Sequence, residues 1–148
     1  MTDRTIHLHR VLRAPADKVF RAFTEADALV RWLPPYGFTC RVETLDVRTG
    51  GRFRMSFRNF GRGSEHAFGG EYLEVDPGRR LVYTDRFDDP ALPGEMRTAV
   101  SFATVSCGTA LAVQQSGIPD AIPLEMCHLG WQESLAQLAW LVEPEIPA

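Results

Sequence analysis

Nowhere in the 148 residues do apolar side chains run unbroken for anything near the 18 positions a membrane-crossing helix needs. The opening Met1-Thr2-Asp3-Arg4-Thr5-Ile6-His7 also lacks the apolar core of a secretory leader. Both absences predict a cytoplasmic protein with no membrane partner. Cysteine is scarce: Cys40, Cys107 and Cys127 form an odd set with no CxxC pair and no spacing for tetrahedral zinc. That excludes a secreted disulfide framework and predicts buried thiols in a reducing compartment. Lysine is scarcer, since Lys18 stands alone beside fifteen arginines. No internal repeat, low-complexity run or linker divides the chain, so one domain over residues 1–148 is expected. A domain of this size buries roughly 68 to 70% of its unfolded surface and folds without a disulfide or a structural metal, so stability calls for no cofactor.

The net charge of -3 hides an asymmetry: residues 1–62 carry 12 basic and 6 acidic side chains, the remainder 4 and 13. A basic half can mark an anionic partner, but Arg52, Arg54 and Arg58 alternate with Phe53, Met55 and Phe57, which places them on the wet side of a strand. No nucleic-acid partner is expected. Opposed half-charges would instead suit the pairing of two copies into a homodimer.

Residues 4–12 read as a strand, and Ala14-Pro15-Ala16-Asp17 opens a helix with proline in its first turn, where the missing N–H does no harm. Val19, Phe20 and Phe23 recur at helical spacing; a second short helix over 26–32 is stopped by Pro34-Pro35. From Phe38 onward the apolar period is two, as in an antiparallel sheet covered on one face. Glycine and proline turns then divide off strands near 65–75, 79–87, 96–105 and 109–116. Pro123 to Val142 returns to a helical period, with apolar positions at 124, 127, 131, 135, 138 and 142. At about 1.5 Å per residue such a helix spans roughly 30 Å, enough to cover a nine-residue strand lengthwise. The order predicts an α+β fold: a curved antiparallel sheet of six or seven strands gripping a long C-terminal helix, with two short helices after the first strand.

These residues resemble the START-like, Bet v 1-like (SRPBCC) helix-grip superfamily, in the branch similar to the C-terminal domain of the activator of Hsp90 ATPase (AHSA1-like). The resemblance runs along nearly the whole chain. It rests on Ala14-Pro15 with Val19-Phe20 and Phe23, on Trp32 with Pro34-Pro35, and on the Thr49-Gly50-Gly51-Arg52-Phe53 turn. It continues through Gly70-Glu71-Tyr72-Leu73-Glu74-Val75, Arg80-Leu81-Val82-Tyr83-Thr84, Thr109-Ala110-Leu111 and Gly130-Trp131 with Leu135 and Leu138. The resemblance implies a cavity between sheet and helix, in a family whose members bind apolar ligands, act as cyclases or hydrolases, or assist a chaperone. The family's eukaryotic co-chaperones use an additional N-terminal domain with no counterpart in these 148 residues, so a chaperone partner is the weaker expectation. Fold does not choose among the three.

Trp32, Phe53, Met55, Phe57, Tyr72, Phe102 and Trp131 sit on inward sides, where they either fill a core or line a chamber. A dry void of ~300 Å³, the small end for a ligand site, costs on the order of 7 kcal/mol, which rivals a whole domain's stability. Such a chamber must be collapsed, wetted or occupied. We therefore expect a small, largely hydrophobic ligand with one polar end, held by those side chains with Tyr83 and Cys127. His66, Gln115 and His128 are the polar candidates.

For catalysis, His66, Glu71, His128, Tyr72 and Tyr83 are the inward titratable candidates, and none forms a motif, so no catalytic residue is assigned. His7 and His9 share a strand face without a third ligand, and Glu125 with His128 lacks partners on other helices, so no metal is assigned. Ser116-Gly117 has no nucleophile-elbow context and Gly69-Gly70 no phosphate-binding helix. Gly130 inside the long helix costs about 1 kcal/mol relative to alanine. It predicts close packing of the sheet there, with a nearby ligand or a bend as the alternatives.

Overall fold

The structure is a computed structural model describing residues 4 to 148; the expectation that the domain begins at residue 1 falls outside them. Strand β1 (Ile6–Leu12) leads to α1 (Ala16–Thr24) and α2 (Ala26–Trp32). Pro15 caps α1 rather than lying inside its first turn: its carbonyl accepts the Lys18 and Val19 backbone N–H groups, both at 3.1 Å. The proline gives up no helical bond there, having no N–H to offer. α1 buries Val19, Phe20, Ala22 and Phe23 on one face.

Six strands follow: β2 (Phe38–Leu45), β3 (Arg52–Asn59), β4 (Glu65–Asp76), β5 (Arg80–Phe87), β6 (Met96–Val105) and β7 (Gly108–Ser116). Every neighbouring pair is antiparallel, in the order β1-β7-β6-β5-β4-β3-β2. The last six strands form a meander, and β1 closes its far side against β7. The C-terminal helix α3 (Leu124–Val142) completes an α+β helix-grip fold.

The outer face explains the charge asymmetry. Arg52 meets Glu71 at 3.9 Å, Arg54 meets Glu43 at 3.4 Å and also Asp88, and Arg86 meets Glu95 at 3.7 Å. Two of these pairs, Arg52 with Glu71 and Arg54 with Asp88, join a base from the first half of the chain to an acid from the second. The groove between them, lined by Thr44, Arg54, Glu71, Arg86 and Asp88, is polar and solvated. Glu71 belongs to this outer face, which corrects its inward placement. Cys107 is exposed in the β6–β7 turn, against the expectation of a buried thiol; Cys40 and Cys127 are half-buried. Burial pushes the Cys40 thiol up to about 11.

The β4–β5 ladder is irregular where it matters for the cavity. A Cβ at Gly70 would lie 1.8 Å from the Thr84 carbonyl oxygen, so only glycine allows the two backbones to approach this closely. The Glu71 N–H donates to the Thr84 hydroxyl at 3.1 Å. The next residue, Asp85, turns inward.

Candidate functional site

α3 is seated along only part of its length. Ser134, Leu135, Leu138, Ala139 and Val142 are buried, whereas Leu124, Cys127 and Trp131 are half-buried. Its backbone comes close to β1, α1 and α2 and stays clear of β3 to β6. Side chains of α3 satisfy the carbonyls left open at the end of α2: Ser134 Oγ donates to Leu33 at 2.6 Å, and Gln137 Nε2 to Trp32 at 3.0 Å and Pro34 at 2.6 Å. The approach to α3 is braced by Arg4, whose guanidinium donates to the carbonyls of Ile118 at 3.0 Å, Pro119 at 3.2 Å and Ile122.

Beneath the unseated half lies a cavity of about 190 Å³, partly open to solvent. Phe53, Met55 and Phe57 reach it from β3, Phe68 and Tyr72 from β4, and Leu81, Tyr83, Asp85 and Phe87 from β5. Cys127, Gly130 and Trp131 face it from α3, and Gln115 from β7. It is smaller than the ~300 Å³ considered from the sequence, and somewhat larger than the ~150 Å³ apolar cavity that admits benzene. Empty and dry, 190 Å³ costs about 4 to 5 kcal/mol.

The rings along its walls meet edge to face: Phe57 with Phe68 at 4.8 Å and Phe53 with Tyr83 at 5.6 Å between centroids. A polar row crosses the floor because the register aligns Tyr72, Tyr83, Thr98 and Gln115 on four consecutive strands. Gln115 Nε2 donates to Thr98 Oγ1 at 2.9 Å; its Oε1 accepts from Trp131 Nε1 at 3.1 Å and from Cys127 Sγ at 3.2 Å. Indole nitrogen only donates, which fixes the amide's orientation and fastens α3 to the sheet.

Asp85 differs from this satisfied row. It is 8% exposed, and its Oδ1 is buried without a hydrogen-bond partner. Burial raises its carboxyl to about 7, with the Arg86 backbone N–H giving partial relief. Burial also pushes the phenols of Tyr72 and Tyr83 far up, the latter with a further contribution from the Asp85 charge. Both phenols stay protonated donors at neutral pH.

The sequence-derived site therefore divides. Phe53, Met55, Phe57, Tyr72, Tyr83, Cys127, Trp131 and Gln115 come together around the cavity. Trp32 and Phe102 do not: each stacks edge-on against Phe23, at 4.6 Å and 5.3 Å, in a packed cluster under α1. Trp32 is fully buried and its Nε1 donates to the Ala22 carbonyl at 2.8 Å. His66 has inward parity but lies exposed at the start of β4, with Phe38 at 6.4 Å. His128 points to the edge strand, its Nε2 3.3 Å from the His7 carbonyl oxygen. His7 and His9 are exposed, and among the described residues no group of three metal-binding side chains converges.

The sequence reading missed Asp85, along with the apolar wall residues Phe68, Leu81 and Phe87. The signal for Asp85 was parity alone, since Leu81, Tyr83, Asp85 and Phe87 alternate along β5.

Gly130 is a second correction: a Cβ there meets nothing within 4 Å, so no close packing demands glycine. Gly130→Ala should therefore stabilise the protein by about 0.5 to 1 kcal/mol through helix propensity, visible as a Tm rise of roughly 1 to 4 °C. A fall in Tm would mean that the backbone at this position needs glycine after all.

A curved antiparallel sheet gripping a helix over an apolar cavity defines the Bet v 1-like, SRPBCC class. Within that class the chain belongs to the activator of Hsp90 ATPase homolog 1-like family, whose model matches residues 13–143. A crystal structure of a Chromobacterium violaceum protein is similar at 58% identity and TM-score 0.95, over 96% of this chain and 99% of that one. A Nitrosomonas europaea structure shares 27% identity at TM-score 0.76, covering 93% of this chain and 92% of its own. The AHSA1 protein from Silicibacter pomeroyi, at 20% identity and TM-score 0.78 over 93% of this chain and 96% of its own, shares the fold. No curated protein matches the chain. Among the described residues no helix is long and apolar enough to cross a membrane.

Proposed function

We propose that the protein binds a small, largely hydrophobic molecule with one polar end in the cavity beneath the first half of α3. The observation that carries this reading is the cavity itself: about 190 Å³ walled mainly by apolar and aromatic side chains, with a few polar ones, among them Tyr72, Tyr83, Asp85 and Gln115. An occupant would recover the dispersion contacts the walls lack when the space is empty. Binding ranks ahead of a cyclase or hydrolase reaction because, among the described residues, Asp85 is the single carboxyl lining the cavity, while both nearby phenols hold their protons too tightly to exchange them near neutrality. The family name suggests a chaperone regulator as the other reading.

Native mass spectrometry of freshly purified protein, followed by thermal shifts with a panel of benzene- to naphthalene-sized compounds, tests the reading. A retained guest is expected, or a compound that at about 100 times its Kd adds roughly 2.7 kcal/mol, a Tm increase of several degrees. A protein that carries nothing, ignores the panel and raises Hsp90 ATP turnover would shift the reading to the chaperone regulator.

A further inference from the structure

Resting on that binding reading, we propose that the cavity selects a small amine in its protonated form, with the ammonium paired to Asp85 and the apolar body held against the aromatic walls. Asp85 is 92% buried, lines the cavity, and carries a buried oxygen, Oδ1, that no protein group satisfies. A buried acceptor of this kind needs a donor, and none in the cavity wall serves it: Gln115 Nε2 is committed to Thr98 and Trp131 Nε1 to Gln115, while the Tyr72 and Tyr83 hydroxyls make no hydrogen bond to Oδ1. The missing donor has to arrive with the guest.

Charge narrows the choice further. Among the described residues no lysine, arginine or histidine lines the cavity. Arg4 is engaged by three carbonyls and by Asp120 at 3.5 Å, and its charge is felt at Cys127, not at Asp85. An anionic head would therefore meet a carboxyl without a counter-ion. A ketone or ester could accept from a phenol but would leave Asp85 unpaired. A hydroxyl could donate, yet only a cation adds charge-assisted attraction in a site of low dielectric.

The ring faces around the cavity favour a cation as well. Pairing buried ions normally requires stripping water from both. Here the fold already holds the carboxyl away from water, so only the amine's desolvation remains to be overcome. The titratable groups near Asp85 are Tyr72 on β4, Tyr83 on β5 and Cys127 on α3, all pushed upward by burial; β6 and β7 present only uncharged side chains to the cavity. Among the described residues lining the cavity, Asp85 is the group whose charge changes near neutral pH.

The test is calorimetric titration of the full chain with 2-phenylethylamine, 2-phenylethanol and phenylacetate, at pH 6 and pH 8, in two buffers of different ionisation enthalpy. At pH 8 the amine should bind at least about tenfold tighter than the alcohol, with phenylacetate weakest. At pH 6 the amine's affinity should fall about tenfold, and its binding should release close to one proton. In Asp85→Asn, which keeps the shape and removes the charge, the amine-to-alcohol affinity ratio should drop to about one. An amine no tighter than the alcohol, phenylacetate tighter than the amine, or a preference that survives Asp85→Asn overturns the proposal, while alcohol binding upholds the cavity. If none of the three binds, the binding reading falls and this proposal with it.

Discussion

Asparagine at position 85 should leave the protein markedly more stable than the parent at pH 8, with the advantage shrinking steadily as the pH falls towards 4. Burial lifts the Asp85 carboxyl from 3.8 to about 7 on folding. Between those values the folded chain holds a proton that the unfolded chain has released, so stability declines as pH rises through that window. At about 1.4 kcal/mol per unit over roughly three units, the parent should forfeit on the order of 4 kcal/mol by pH 7. That is a large share of the 5 to 15 kcal/mol typical of whole domains. The asparagine variant cannot titrate there, so the difference between the two proteins isolates one group from the other carboxylates. Urea denaturation of both at pH 4.5, 6 and 8 reads it directly. Parallel curves at all three pH values would show a carboxyl with ordinary access to water, and the case for a buried, unpartnered acid would collapse.

Truncating Trp32 to alanine should cost about 3 to 5 kcal/mol, the upper range for a buried aromatic, and lower Tm by roughly 6 to 20 °C. The indole is fully buried, lies edge-on to Phe23, and satisfies the Ala22 carbonyl, so its loss leaves both a void and an unpaired acceptor. Trp131→Ala should cost much less, because that ring is half-buried at the cavity wall. Its effect should fall on guest affinity instead. Chemical denaturation of the two variants beside the parent tests the contrast; equal losses from both would erase the distinction between packed core and cavity wall.

That distinction marks where reading the sequence stopped. The strand frame was legible because Arg52 to Arg58 alternates so cleanly, and α3 because its apolar positions return every third or fourth residue until Pro144. The two halves of α3 looked alike, since periodicity reports which face is apolar and says nothing of how far away the opposing wall lies. Trp32 and Phe102 were grouped with Phe53 and Tyr72 for the same reason: all are large and inward, and only three-dimensional distance shows that α1 fills the space beside the first pair. Asp85 was hidden in another way. Thr84-Asp85-Arg86 reads as a polar stretch heading for the Asp88-Asp89-Pro90 turn, and the irregular pairing around Gly70 and Thr84 leaves no trace in composition. Counting by twos from Leu81 through Tyr83 would have exposed it.

The uneven seating of α3 separates two kinds of evolutionary freedom. Exchanges at Cys127, Gly130 and Trp131 reshape the roof of the cavity at the cost of no more than the Gln115 bonds, while exchanges at Leu135, Leu138 and Val142 strain the buried seat of the helix. One continuous rod thus carries a tunable end and a constrained end, and descent can reshape the cavity without renegotiating whether the chain folds.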